Sequence, residues 1–195
     1  MSISADSVVP VFYNMVSQKV VQSGEFAFWL SPDDNEAGSV LNIGGTDPTY
    51  YTGTVQKHDI FLWFLGLEWY TIVFESFYVS GSRSGECVPF CRAILDTGTS
   101  LIVGPTAGAN ALIGSIGTVN PDCSNVNTLP TISVGMFGGY NYPLTPAQYV
   151  IKLPDNNGKM TCQLGIAGSD GLPFWILGDV FIRAYYTVFD QVPSS

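Results

Sequence analysis

The feature that most constrains the fold of this chain is one aspartate enclosed by apolar sequence. Asp96 follows an apolar run over residues 93–95, and a second apolar run over residues 101–103 leads the chain away from it. A carboxylate that is removed from water without hydrogen-bond partners is costly. The pattern therefore predicts that the turn between the two runs supplies the carboxylate with hydrogen bonds.

The turn that begins at Asp96 contains groups suited to this task. The hydroxyls of Thr97 and Thr99 and the backbone N–H of Gly98 can hydrogen-bond an ionised carboxylate, and the glycine gives the backbone an open geometry. A bare Asp-Thr-Gly sequence is also typical of a surface turn between strands. Such a turn normally joins polar strand ends, so the apolar flanks favour a functional loop instead.

The composition is that of a turn-rich β protein. Hydrophobic residues make up 46% of the chain and charged residues only 12%, with 21 glycines and 12 prolines; this excludes a helical bundle or a disordered tail. A chain of 195 residues is long enough for one all-β domain or one lobe of a larger enzyme. The net charge of −9 argues against a nucleic-acid partner. The most apolar run, residues 60–67, is too short to cross a membrane and is predicted to be a buried strand.

Cysteine spacing favours disulfides over a metal site. The chain contains four cysteines: Cys87, Cys91, Cys123 and Cys162. They lack the paired Cys-x-x-Cys knuckles of a zinc site, and the single histidine, His58, lies far from them in sequence, so no bound metal is expected. Disulfides imply an oxidising compartment. The first six residues do not have the pattern of a secretion signal, so either the signal lies upstream of a fragment or the inferred compartment is wrong.

Short apolar and aromatic segments separated by turn residues predict mostly strands, with a few short helices. Strands are predicted over residues 26–30, 39–44, 50–55, 69–74, 77–79, 129–134, 140–143, 174–178 and 185–190. Helices are predicted within residues 7–21, over 105–116 with Gly117 at the end, over 145–149 with Thr145 as the cap, and directly after Gly178. Because the chain has neither an internal repeat nor a linker, residues 1–195 are predicted to form one domain.

Taken together, these segments resemble the pepsin-like aspartic proteases, including the cathepsin-D-like ones. The resemblance extends from Pro10-Val11-Phe12 to Val188-Phe189-Asp190 through Gly44-Gly45, Tyr50-Tyr51-Thr52-Gly53, Trp69, Asp96-Thr97-Gly98-Thr99-Ser100, Leu129-Pro130 and the run from Trp175 to Arg183. It implies a mainly β fold, a pepsin-like acid protease lobe of the double-psi β-barrel type with a few short helices. It also implies that residues 1–195 are the C-terminal lobe of a two-lobed enzyme, without the N-terminal lobe and the final strand, and that the disulfides are Cys87–Cys91 and Cys123–Cys162.

By this resemblance, Asp96 is one of two catalytic aspartates, and Thr97 helps to tie the two active-site loops together. Gly98 and Thr99 would hydrogen-bond the carboxylate and the substrate backbone. The resemblance also implies that Ile176-Leu177-Gly178 form a second loop that supports the Asp96 loop. Ile94 and Ile176 would line side-chain subsites.

The resemblance implies peptide or protein substrates and a reaction that needs no metal or cofactor. Two neighbouring aspartates share one proton; the ionised carboxylate activates a water and the protonated one polarises the scissile carbonyl. This chain has a single Asp-Thr/Ser-Gly sequence, so the second aspartate would come from the missing N-terminal lobe. The family works in the secretory pathway, outside the cell or in an acidic lysosome-like or vacuole-like compartment.

Two other hypotheses remain open at this point. The chain could be a homodimeric protease in which each copy gives one Asp96, because twofold symmetry brings identical loops together. It could also be a catalytically inactive peptide-binding or interaction module that keeps the fold without turnover.

Overall fold

The computed structural model describes residues 8–32, 38–60, 70–84, 87–155 and 157–191, and within these ranges it contains fourteen β strands and four α helices. The strands are β1 (Glu25–Trp29), β2 (Val40–Ile43), β3 (Thr71–Phe74), β4 (Ser76–Val79), β5 (Ser82–Ser84), β6 (Cys91–Leu95), β7 (Ile102–Pro105), β8 (Ile132–Gly135), β9 (Asn141–Leu144), β10 (Val150–Pro154), β11 (Met160–Leu164), β12 (Ile166–Ser169), β13 (Trp175–Leu177) and β14 (Thr187–Asp190). The helices are α1 (Val11–Ser17), α2 (Thr106–Ile116), α3 (Pro146–Tyr149) and α4 (Asp179–Ile182). The mainly β prediction with a few short helices is confirmed.

Four sheets are formed by these strands. The largest has the order β12-β7-β13-β6-β3, and the others are β14-β1-β2, β5-β4-β8-β9 and the hairpin β10-β11. In the largest sheet β13 runs parallel to β6 and antiparallel to β7, and β12 runs parallel to β7. Since β6 and β13 are far apart in sequence, this pairing brings the Asp96 turn next to the turn that follows β13.

The core lies between the largest sheet, α2 and the four-stranded sheet. Trp175 on β13 is 2% exposed, and its ring centre lies 4.5 Å from that of Phe77 on β4. Gly104 and Gly108 leave the space that the indole fills, because a Cβ atom at these positions would lie 2.4 Å and 3.1 Å from its ring atoms. Small residues on β7 and α2 therefore make room for the indole of Trp175, the largest side chain of the core.

Two disulfides join neighbouring segments of the fold. Cys87 is bonded to Cys91 across five residues at the start of β6, and Cys123 is bonded to Cys162 on β11. The described residues contain no free cysteine. These are the two pairs that the family resemblance implies.

One predicted strand is wrong, and another lies outside the described residues. Residues 50–55 do not form a strand; instead Pro48–Tyr50 form a turn of 3-10 helix. The Asp47 carboxylate accepts a hydrogen bond of 2.9 Å from the Thr49 N–H, so the cap and the proline determine the local structure despite two β-favouring tyrosines. The predicted buried strand at residues 60–67 and Trp69 lie almost wholly outside the described ranges. Helix α2 starts at Thr106 because Pro105 still belongs to β7.

Candidate active site

Asp96 lies directly after the C-terminal end of β6, an interior strand of the largest sheet. Its backbone N–H donates a hydrogen bond of 3.2 Å to the carbonyl oxygen of Leu177. The parallel pairing of β6 with β13 sets Ile94 opposite Ile176 and Leu95 opposite Leu177. The sheet therefore fixes where the aspartate leaves the strand.

Both carboxylate oxygens of Asp96 accept a hydrogen bond from the turn that follows. The Gly98 N–H donates to Oδ1 at 2.9 Å, and the Thr99 hydroxyl donates to Oδ2 at 2.6 Å. Asp96 and Thr99 are half-buried, whereas Thr97 and Gly98 are exposed. The half-buried carboxylate is thus held in a fixed orientation next to exposed residues, and its own turn supplies the hydrogen-bond donors.

A second segment holds the turn from below. The Asp179 N–H donates to the Thr99 carbonyl at 2.8 Å, the Val180 N–H to the Ser100 carbonyl at 3.1 Å, and the Gly178 N–H to the Leu101 carbonyl at 3.2 Å. These three hydrogen bonds join the first turn of α4 to the chain between Asp96 and β7.

Gly178 permits this close approach. A Cβ atom at this position would lie 2.0 Å from the Thr99 carbonyl oxygen and 2.5 Å from that of Leu101. Its φ of −88° is accessible to any residue, so the glycine is needed for space and not for backbone conformation. The sequence pattern showed a glycine between a strand and a helix, but nothing in it revealed that residues 99–101 pack against this glycine.

The two isoleucines expected at side-chain subsites differ in exposure. Ile94 is 4% exposed, whereas Ile176, opposite it in the sheet, is half-buried. Of the two, Ile176 has the side chain that can reach a ligand on the open surface.

The described part of the chain contains no group of three metal-ligating side chains. Nor does any of its helices have the length and apolar character needed to span a membrane. At the turn itself the acid group is Asp96, whose two hydrogen-bonded oxygens form a positioned carboxylate.

Comparison with known proteins identifies the family of this chain. Residues 1–194 match the family model described as "Eukaryotic aspartyl protease". The chain belongs to this family. It is 41% identical over 198 residues to the cathepsin D of Dictyostelium discoideum and 43% identical over 204 residues to that of Clupea harengus, with 97% of this chain covered in both cases. The cathepsin D of Bos taurus is 39% identical over 201 residues, again with 97% of this chain covered.

The chain spans about half the length of these relatives. The matched region is 50% of the Dictyostelium protein, 49% of the Clupea protein and 50% of the bovine protein.

Proposed function

We propose that this chain is the C-terminal lobe of an aspartic endopeptidase and that Asp96 is one of its two catalytic aspartates. The observation that carries the proposal is the carboxylate held through both oxygens by Gly98 and Thr99. An ordinary surface turn does not require a second segment packed against it. Here residues 178–180 donate three hydrogen bonds to residues 99–101, and Gly178 permits the close approach. Membership of the aspartyl protease family supports the same role.

In the proposed reaction, Asp96 acts with a second aspartate from another part of the enzyme. Two carboxylates close together share one proton, so that one remains ionised and the other protonated. The ionised carboxylate removes a proton from a water that attacks the peptide carbonyl, and the protonated one donates to the carbonyl oxygen. Gly98 and Thr99 orient the Asp96 oxygens for this exchange, and no metal or cofactor takes part.

We further propose that the second aspartate belongs to an N-terminal lobe that covers the exposed part of the Asp96 turn. Thr97 and Gly98 are exposed there, and Thr97 would contact the corresponding loop of that lobe. The relatives have about as much additional chain as one such lobe requires.

A second surface also has exposed apolar side chains, which the proposed N-terminal lobe would cover. Leu41 and Ile43 on the edge strand β2 are 48% and 47% exposed. Their register places them on the same face of the sheet as Phe28 and Phe26. An apolar face of this kind is typical of an interface with another domain. A covering lobe would bury it, together with the exposed valines of α1 and the segment before it.

The proposed substrates are peptides or proteins that lie across the Asp96 turn. Exposed backbone at Gly98 and the half-buried Ile176 side chain would contact the substrate, whereas the buried Ile94 would support Ile176 from its position beside it in the sheet. The two disulfides support a location in the secretory pathway, either outside the cell or in an acidic lysosome-like or vacuole-like compartment.

The test compares Asp96→Asn with a matched Asp→Asn variant in the complete polypeptide that contains this chain. Asp122 is the control, because its exposed carboxylate accepts a hydrogen bond from the Ser124 N–H that an asparagine oxygen can also accept. Hydrolysis of a fluorogenic peptide library is followed from pH 3 to pH 7. We expect Asp96→Asn to abolish acid-dependent hydrolysis and Asp122→Asn to leave it unchanged.

Three other results would each replace the proposal. Normal hydrolysis by Asp96→Asn would show that Asp96 is not a catalytic residue. Hydrolysis by the 195-residue chain alone, as a dimer in analytical ultracentrifugation, would favour the homodimeric protease with one Asp96 from each copy. Binding of peptides or of a pepsin-type inhibitor without hydrolysis, in the complete polypeptide, would favour the inactive binding module.

A further inference from the structure

Residues 51–60 cross the surface without regular secondary structure, and aromatic contacts hold them near each end. Residues 52–57 are exposed. At the first end Tyr51 stacks on Tyr186, with ring centres 5.0 Å apart. At the other end the half-buried His58 contacts Tyr142 on β9. Within the part of the chain that the structure describes, side-chain contacts and not a strand ladder attach this segment.

The second of these attachments is a hydrogen bond between two ionisable side chains. Nε2 of His58 lies 2.6 Å from the hydroxyl oxygen of Tyr142. The two rings meet edge to face with centres 5.6 Å apart, and the Tyr140 ring approaches His58 in the same manner at 6.0 Å. Both tyrosine rings thus contact His58, and Tyr142 is the one of the two that forms a hydrogen bond with it.

Tyr142 is held in turn by aromatic side chains of α4 and of the residues that follow it. Its ring packs edge to face on Tyr185 at 5.0 Å and on Phe181 of α4 at 6.1 Å. The Tyr185 hydroxyl donates to the carbonyl oxygen of Pro143. Burial raises the pKa of Tyr185 to about 12, so both tyrosines keep their hydroxyl protons in neutral and acidic solution. The group in this contact that titrates between pH 5 and 7 is the imidazole.

The charges around His58 do little to favour an imidazolium ion. Burial lowers the pKa of His58 below the ordinary 6.5, and the neighbouring carboxylate of Asp59 raises it by less. Lys57, directly before His58, is largely exposed and lies 3.9 Å from the Asp190 carboxylate on β14. Tyr140 and Tyr142 face the imidazole as neutral groups. Protonation of the docked imidazole is therefore opposed mainly by loss of water.

We propose that His58 and Tyr142 form a pH-sensitive clasp that fastens residues 51–60 in neutral solution and releases them in acid. The sign follows from the direction of the shift: a histidine whose pKa is lowered in the docked state binds its proton more readily in the undocked state. The stability that the clasp contributes is complete above the pKa of the undocked imidazole, about 6.5, and is lost as the pH falls through the lower pKa of the docked imidazole. A one-unit difference between the docked and undocked pKa changes the ratio of open to closed segment about tenfold.

Release of residues 51–60 would act on α4, which also supports the candidate active site. Tyr142 packs on α4, and the first turn of α4 makes the hydrogen bonds to residues 99 and 100 that hold the Asp96 turn. The clasp and the site thus share one structural element. The clasp depends on the contacts of His58 whether or not Asp96 is catalytic.

Amide hydrogen exchange in the full chain tests the clasp. Exchange in a peptide covering residues 51–60 is measured by mass spectrometry at pH 7 and pH 5, and each rate is corrected for the intrinsic pH dependence of exchange. The pKa of His58 is measured in the same peptide from exchange of its imidazole C2–H. We expect a pKa below 6.5 and several-fold faster corrected exchange at pH 5.

Three variants separate the clasp from general acid effects. His58→Gln cannot titrate, so its corrected exchange should be the same at both pH values. Tyr142→Phe keeps the ring but loses the hydroxyl, so exchange should already be fast at pH 7. Tyr140→Phe is the matched control, because the same substitution on the other ring leaves the 2.6 Å hydrogen bond in place, and it should behave as the unaltered chain does.

Several outcomes would overturn the proposal. These are equal corrected exchange at pH 5 and pH 7 in the unaltered chain, a His58 pKa at or above 6.5, or a full pH response in His58→Gln. Equal exchange rates in Tyr142→Phe and Tyr140→Phe would also show that the hydrogen bond between His58 and Tyr142 does not hold the segment.

Discussion

Replacing Gly178 with alanine tests whether the Asp96 turn depends on the close approach of the segment after β13. The added methyl group would lie 2.0 Å from the Thr99 carbonyl oxygen and 2.5 Å from the Leu101 carbonyl oxygen. Both are backbone atoms, so the contact cannot be relieved by a rotation of a side chain. The turn and the start of α4 have to move apart.

The expected loss of stability follows from two effects. An extra methyl group in a well-packed region typically costs about 1–3 kcal/mol. Separation also weakens the three backbone hydrogen bonds that join residues 178–180 to residues 99–101, each with a net contribution of about 0.5–1.5 kcal/mol. With partial relaxation of the turn, Gly178→Ala should lower the free energy of unfolding by about 2–5 kcal/mol.

Urea unfolding, followed by tryptophan fluorescence, measures this difference against a matched control. Gly114 lies inside α2 with no atom within 4 Å of an added Cβ, so Gly114→Ala should stabilise the chain by about 0.5–1 kcal/mol through helix propensity. A loss below about 1 kcal/mol for Gly178→Ala would show that the turn accommodates the methyl group, and the reasoning about the close approach would be refuted.

Three further predictions concern other contacts. Thr99→Val removes the hydroxyl donor to Asp96 and should destabilise the chain by about 1 kcal/mol at neutral pH, and Thr99→Ser should restore most of this in urea unfolding. Replacing Cys123 and Cys162 together by serine opens a loop of 39 residues, and the chain-entropy relation predicts that the free energy of unfolding falls by about 4 kcal/mol. For the shorter Cys87–Cys91 loop the same relation gives about 2 kcal/mol, and a loss that small for the longer loop would contradict the prediction. The pKa of Tyr149 is raised to about 12 by burial, so its contribution to stability is complete below pH 10 and is lost as the pH rises through 12. Alkaline absorbance titration should show its ionisation in that upper range, and ionisation near pH 10 before unfolding would contradict the burial argument.

Local patterns in the sequence were sufficient for most of the secondary structure. The helix that ends at Gly117 and the strand that precedes Gly178 follow from glycine, proline and apolar spacing that act over a few residues. The prediction failed at residues 50–55, where the Asp47 cap and Pro48 outweighed the β propensity of two tyrosines. A propensity scale describes an average environment, whereas a cap is one specific hydrogen bond.

The sequence by itself determined that Asp96 leaves an apolar strand into a turn of Thr, Gly and Thr, because residues adjacent in the chain must be adjacent in space. Only the tertiary structure decided what lies beneath that turn and what lies beside His58. Gly178 and Thr99 are separated by most of the second half of the chain, and His58 and Tyr142 by 84 residues. Such partners meet because the parallel pairing of β6 with β13 and the packing of β9 on α4 fold distant segments together. No local spacing records that arrangement.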